Sequence, residues 1–229
     1  MSMVSDVMST ERRQLEAFLV DNPDLQRLED LLSEFNLFEA IGAQRQELRH
    51  SDFLRFLLDP QENHRLEGYF IKALLKRCLA GSTAQELGAI DIEVADFSDA
   101  IAERERYNID ILITSERSKI AVAIENEIDS AEHSDQLNVY ARALDSAFPG
   151  HRKVLIFLTP DGDPPTSELW HPVSYETVME TVRAVRKARE STVEDAVLTT
   201  MRHYEVMLGR HIVSESETAK LHPTSRANQ

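Results

Sequence analysis

The sequence contains a single cysteine, Cys78, in 229 residues. One thiol excludes an internal disulfide framework and a cysteine-based zinc site. No apolar run reaches the roughly 18 residues that a membrane-spanning helix needs, so no membrane association is expected. The opening segment, MSMVSDVMSTERRQ, lacks an apolar signal core, and a cytoplasmic protein is the expectation. Positive charge is also scarce. Lys and Arg number 25 against 40 Asp and Glu, for a net charge of −15. Phosphate binding is driven by Lys and Arg, so this balance argues against a protein that coats nucleic acid. A local basic groove stays open, because steering follows the distribution of charge and not only its sum. The acidic balance also suits a basic protein partner or divalent cations. Internal repeats and low-complexity segments are absent.

What is present suffices for a globular fold. Apolar residues make up 42% of the chain, enough for one large domain with a helical extension. The expected division is a helical extension over residues 1–32, a main domain over 33–213, and a polar, disordered tail over 214–229. Leu25, Leu28, Leu31, Leu32 and Phe35 form a helical stripe. RHSDFLRFLLDP predicts a helix stopped by Pro60, with Ser51 as a candidate N-cap. Leu66, Tyr69, Phe70, Ala73 and Leu74 predict a further helix. The period then changes. IDIEVADF (90–97) alternates and predicts a strand, while NIDILIT (108–114) and KIAVAIENEI (119–128) are apolar on both faces, as central strands are. The short link between those two predicts a hairpin. A helix over 134–148, a strand over 153–159 and two helices over 175–190 and 192–210 complete the pattern. The fold class is therefore α/β (α+β): a mixed central sheet of about four strands in β-β-β-α-β order, flanked by helices.

Two central strands carry carboxylates where apolar residues belong. Asp110 lies inside IDILI, and Glu125 ends KIAVAI. An unpaired buried carboxylate is costly, so such acids need a partner, a raised pKa or a metal. In AVAIENEID, alternation puts Glu125, Glu127 and Asp129 on one face with Ala121 and Ala123. The alanines predict open space beside the acids, and hence a carboxylate-lined recess. Oxygen ligands of this kind suit Mg²⁺ or Mn²⁺, which can activate water and stabilise an in-line phosphoryl displacement. The same acids could instead be strand-end charges held in salt bridges. Asp129 is expected to lie past the strand, in solvent.

Asp110, then Glu125-Asn126-Glu127, then Gln136 and Tyr140, on a β-β-β-α-β order, resemble the PD-(D/E)xK nuclease superfamily. Upstream, FNLFEAIGAQRQELRHSDFLRFLLDPQENHRLEGYF resembles the N-terminal helical segment of a bacterial and phage-associated branch. That branch reads as an E-x-x-HS-x-x-L-x-x-LL-x-P helix, an IDILI strand, an IENK strand and a Q-L-x-x-Y helix. The resemblance covers roughly residues 33–210 and implies a restriction-endonuclease-like core. It implies Asp110 and Glu125 as metal ligands, with the Asn126 backbone carbonyl completing the site and Glu127 a further ligand or general base. It implies Gln136 and Tyr140 as residues that orient the site or a substrate phosphate. Glu47 would be the acid of the first core helix, and His50, three residues on, would approach the metal or a phosphate.

One position departs from the pattern: Glu127 stands where the family keeps its lysine. Some members are active with E-x-E. Lys119, Arg142 and Lys153 offer no convincing replacement by their placement. RAVRKAR (183–189) is the densest basic run, and Arg183, Arg186 and Lys187 are the candidate nucleic-acid contacts. Arg45, Arg49 and Arg55 are expected on a solvated helix face, and Trp170 as an anchor for the loop before a helix. The expected function is a Mg²⁺- or Mn²⁺-dependent nuclease, a hydrolase of DNA ahead of RNA, endo- or exonucleolytic. The alternative is a catalytically inactive nuclease fold serving as a binding or regulatory module in a defence or mobile-element setting, with a partner protein or as a homodimer. A third reading is a structural protein whose sheet acids are incidental.

Overall fold

A computed structural model describes residues 34–80, 87–129 and 135–213, with a few isolated positions before residue 24. Chain contacts separate Met1–Asn36 from Leu37–Gln229, and the sheet and its flanking helices belong to the second unit. Leu25, Leu28, Leu31 and Leu32 of the N-terminal stripe, and the tail over 214–229, lie outside the described residues.

A helical turn, α1 (Leu37–Ala40), precedes α2 (Glu47–Leu58), α3 (Tyr69–Cys78) and a short α4 (Ala89–Val94). The strands β1 (Ile101–Arg104), β2 (Ile111–Ser115) and β3 (Ile120–Asn126) follow, with a 3₁₀ turn at Arg106–Asn108. Then come α5 (Gln136–Ala147), β4 (Arg152–Thr159), β5 (His171–Ser174), α6 (Tyr175–Ala188) and α7 (Asp195–Leu208), the last running into a π-helical turn at Gly209–Val213. The sheet order is β1-β2-β3-β4-β5. Pairing is antiparallel from β1 to β3 and parallel from β3 to β5, so α5 is the crossover between parallel neighbours. The result is a five-stranded mixed sheet flanked by helices.

Local chemistry explains the element ends. Asp59, before Pro60, takes an extended conformation (φ −93°, ψ 108°) and stops α2, because proline crowds a helical predecessor. The Ser174 hydroxyl accepts the Thr177 N–H at 3.4 Å and caps α6. All seven residues of β3 are buried, which fits a strand covered on both faces. Ile120, Val122 and Ile124 belong to the large core with α2, α3, α6 and α7. Ala121 and Ala123 belong to a second core with Leu137, Tyr140, Ala141 and Leu144 of α5.

Three expectations need correction. Residues 90–97 do not form a strand. The Asp91 carboxylate accepts the Gly88 N–H at 2.9 Å and closes the first turn of α4. Of the alternating apolar residues only Ile92 is buried, while Ile90 and Val94 are 82% and 80% exposed, so no sheet face is formed. The first strand is instead β1, whose one buried side chain, Ala102, gives almost no periodic signal. A fifth strand, β5, also went unpredicted. It is four residues long and contains Pro172, tolerated because β5 is an edge. Finally, Ser51 is not a cap, since α2 begins four residues earlier and buries it.

Candidate active site

The acids meet at the C-terminal end of β3. Ile111 pairs with Ile124, and one further step of that register sets Asp110 opposite Glu125 on one face. The Asp110 carboxylate accepts the Asn126 N–H at 2.9 Å, so the acid also closes the end of the hairpin. Its backbone carbonyl accepts the Arg104 Nε at 2.8 Å. The Glu127 N–H donates to the Leu158 carbonyl at 2.9 Å, extending the β3–β4 ladder and holding Glu127 close to the sheet. Glu47, in the first turn of α2, accepts the N–H groups of Ile128 and Asp129 at 2.8 and 3.1 Å through Oε1. That carboxylate pins the start of α2 to the chain leaving β3. Gln136, the first residue of α5, donates from Nε2 to Glu125 Oε1 at 2.5 Å. Tyr140 is one turn further along α5 and buried in the same core.

Glu125 is 4% exposed, and its second oxygen, Oε2, is buried without a hydrogen-bond partner. Burial pushes its pKa up to about 8 and the charges of Asp110 and Glu127 add to the rise, against the Asp110 backbone N–H and Gln136, which favour its ionised form. Burial also raises Asp110, against the Asn126 N–H and the Arg104 charge, which favour its ionised form. The Tyr140 hydroxyl is raised by burial and by the Glu125 charge. These responses place Asp110, Glu125, Glu127 and Tyr140 in one electrostatic neighbourhood.

The space expected beside the acids is filled. Ala121 and Ala123 are fully buried beneath α5, so small side chains let the helix approach the sheet rather than opening a recess along the strand. Asp129 is not simply solvated, because Arg45 Nε lies 3.0 and 2.9 Å from its two oxygens. Trp170 is an anchor, as expected: its Nε1 donates to the Leu137 carbonyl of α5 at 3.0 Å.

Asn126 projects to the opposite face, into a polar network that the sequence did not disclose. Its Nδ2 donates to Ser51 Oγ at 2.9 Å and to the Glu47 carbonyl at 3.3 Å, and its Oδ1 accepts the Tyr175 hydroxyl at 2.7 Å. His50 belongs to this layer and not to the acids. Its Nδ1 meets the Tyr204 hydroxyl at 3.1 Å and its Nε2 the Gln44 carbonyl at 3.0 Å, so both ring nitrogens are engaged within the helical layer. Burial lowers the His50 pKa to about 4 and keeps it neutral at pH 7.

The basic candidates lie elsewhere. Arg183 and Arg186 of α6 bind Glu205 of α7 at 2.6 and 3.0 Å. α6 packs on the sheet face opposite the Glu125 side chain, so these cations do not join the acids. Lys187 is exposed on the same helix. Lys119, Arg142 and Lys153 pair with Glu116, Asp135 and Asp145 at 2.6, 3.2 and 2.8 Å, and none substitutes for the missing motif lysine. Arg104 is the functional candidate that sequence reasoning missed. Only its position in IAERER could have flagged it. It ties Asp110 to α2 by donating to the Leu48 carbonyl at 3.0 Å and to Asp52 at 2.5 Å.

A family model for the PD-(D/E)XK nuclease superfamily matches residues 35–219. The chain belongs to that superfamily. No curated protein and no solved structure matches it. Nucleases of the PD-(D/E)XK superfamily generally use divalent metal ions. The residues here fit such an ion through the orphaned Oε2 of Glu125, with Asp110 opposite. Among the described residues no group of three or more His, Cys, Asp or Glu side chains is arranged to hold a metal. A Mg²⁺-type ion does not require one, since it is bound through one or two carboxylates, waters and substrate phosphates.

Proposed function

We propose that the protein is a divalent-metal-dependent phosphodiesterase acting on nucleic acid, with DNA preferred to RNA by resemblance to restriction endonucleases. The observation that carries the reading is the buried, unpartnered Glu125 Oε2 directly across the hairpin from Asp110. A fold that keeps an orphaned carboxylate oxygen beside a second acid has a use for a cation there. Asp110, Glu125 and the Asn126 carbonyl would hold Mg²⁺ or Mn²⁺. When bound, the ion supplies charge stabilisation and acidifies water for the displacement at phosphorus.

The protein's own groups do the rest. Gln136 fixes Oε1 of Glu125 and leaves Oε2 as the coordinating atom. Glu127 takes the role of general base, accepting the proton of the attacking water. Tyr140, on the helix above, would donate its hydroxyl to a phosphate oxygen. Glu47 positions the chain after β3, and Asn126 is held from behind by Ser51 and Tyr175. The direct test incubates plasmid DNA, single-stranded DNA and RNA with Mg²⁺ or Mn²⁺. Cleavage by the wild type and its loss in Glu125→Ala are expected, and equal cleavage by both proteins refutes the assignment.

A second reading has its own observation. Glu127 occupies the lysine position, and Lys119, Arg142 and Lys153 are paired elsewhere. On that reading the fold binds nucleic acid or a protein partner without cutting. Glu127→Lys decides between them: cleavage gained from a silent wild type favours the binding module, whereas an active wild type excludes it.

A further inference from the structure

The helical layer holds a cationic cavity away from the acids. A space of about 290 Å³ opens between α3 and α6, lined by Tyr69, Lys72, Lys76, Arg77 and Glu93 among others. The Arg189 guanidinium lies over the Tyr69 ring at 4.6 Å from its centroid. Elsewhere in this acidic chain most described arginines and lysines are ion-paired. At this cavity only Lys76 is, with Glu93. Lys72 and Arg77 reach backbone carbonyls, of Glu93 at 2.9 Å and Ala73 at 3.1 Å, and Arg189 Nε is buried without a hydrogen-bond partner.

Helix dipoles account for part of this. Arg77 is in the last turn of α3 and Arg189 caps α6, where cations are favoured. Lys72 is in the first turn of α3, where a cation is disfavoured, but its ammonium donates to the Glu93 carbonyl in the last turn of α4, where a cation is favoured. Lys72, Lys76 and Arg77 line the cavity against a single carboxylate, Glu93, and Arg189 lies beside it over Tyr69, so the space is net cationic and suits an anion.

We propose that this cavity binds phosphate groups of a nucleic-acid strand outside the scissile site. The anion site follows from the geometry alone, and only the choice of ligand rests on the nuclease reading. α6 links the two places. Tyr175 at its start holds Asn126, and Arg189 at its end lies about 20 Å along the helix axis. The basic run of α6 thus contacts the strand through Arg189 rather than through Arg183 and Arg186, which Glu205 neutralises.

The test is fluorescence anisotropy in EDTA with a labelled DNA duplex of about 20 base pairs and its single strand, across a salt series. Wild type is compared with the triple variant Lys72→Gln/Arg77→Gln/Arg189→Gln and with a charge-conserving triple, Lys72→Arg/Arg77→Lys/Arg189→Lys. Arg117→Gln, at an exposed arginine paired with Asp96, serves as control. The neutral triple should bind at least about tenfold more weakly, with a salt slope flatter by about 2 to 3. The charge-conserving triple and Arg117→Gln should bind as wild type. Equal DNA affinity for the wild type and a neutral triple with an unchanged urea midpoint overturns the proposal. So does a wild type that binds no DNA. Inorganic phosphate or ATP binding that depends on these residues, with DNA affinity unaffected, overturns the strand assignment in favour of a small anion. A wild type that binds as expected but never cleaves refutes the nuclease reading and leaves this one standing.

Discussion

Glu125 is the residue on which the site turns. Its folded pKa is raised to about 8 by burial and by two neighbouring acids. A raised carboxylate favours the protonated fold, so its contribution is complete below the ordinary value of 4.5 and is lost as pH rises through about 8. Glu125→Gln should therefore melt at a higher temperature than wild type at pH 9 in EDTA, and close to it at pH 5. Mn²⁺ should raise the wild-type midpoint and leave the variant's unchanged. A variant less stable than wild type at pH 9 would contradict this. Tyr175 makes a second residue-scale case. Tyr175→Phe removes the donor to Asn126 Oδ1 and should cost about 1–3 kcal/mol in urea unfolding, the range for a buried acceptor left unpaired. That Asp110 and Glu125 are acids held among buried strand residues was legible in the sequence, because a carboxylate inside an apolar strand is costly and stands out. Arg104, Ser51 and Tyr175 were not, because their partners lie 52, 75 and 49 residues away and no local pattern marks them.

At the scale of elements, β3 and α5 are fitted to each other through small residues. Ala121 and Ala123 are fully buried under Leu137, Tyr140 and Leu144. Ala123→Leu should overpack that contact and cost about 1–3 kcal/mol, measured by urea unfolding. The same substitution should weaken Mn²⁺ binding, because α5 carries Gln136 to Glu125. The α2–α7 contact has a pH signature of its own. His50, buried between Gln44 and Tyr204, has its pKa depressed to about 4. A depressed histidine contributes stability present above its ordinary value of 6.5 and lost as pH falls through about 4. The unfolding midpoint should decline across that window, and His50→Gln should flatten the decline. Elements with a continuous apolar run or a long stripe, such as β3, β4 and α5, were legible. β1, β5 and α4 were not, since each buries only one side chain and so carries no period.

Over the whole molecule, the sheet separates two kinds of chemistry. One face and the end of β3 gather acids under α5, while the helical layer on the other face holds the polar network of Asn126 and, between α3 and α6, the cationic cavity. A net charge of −15 argued against nucleic acid only while its distribution was unknown. The family match over residues 35–219 and the mixed five-stranded sheet agree with the order of motifs in the sequence. The sequence could not show that the motif acids would sit beside an orphaned oxygen rather than in an open recess, because that depends on how closely α5 docks. In the proposed function, Asp110 and Glu125 hold a divalent cation at the end of β3. Titration calorimetry with Mn²⁺ at pH 8 tests it most directly. One site per chain in the wild type, abolished in both Asp110→Ala and Glu125→Ala, is the predicted result. No binding by the wild type, or equal binding by the variants, would contradict it.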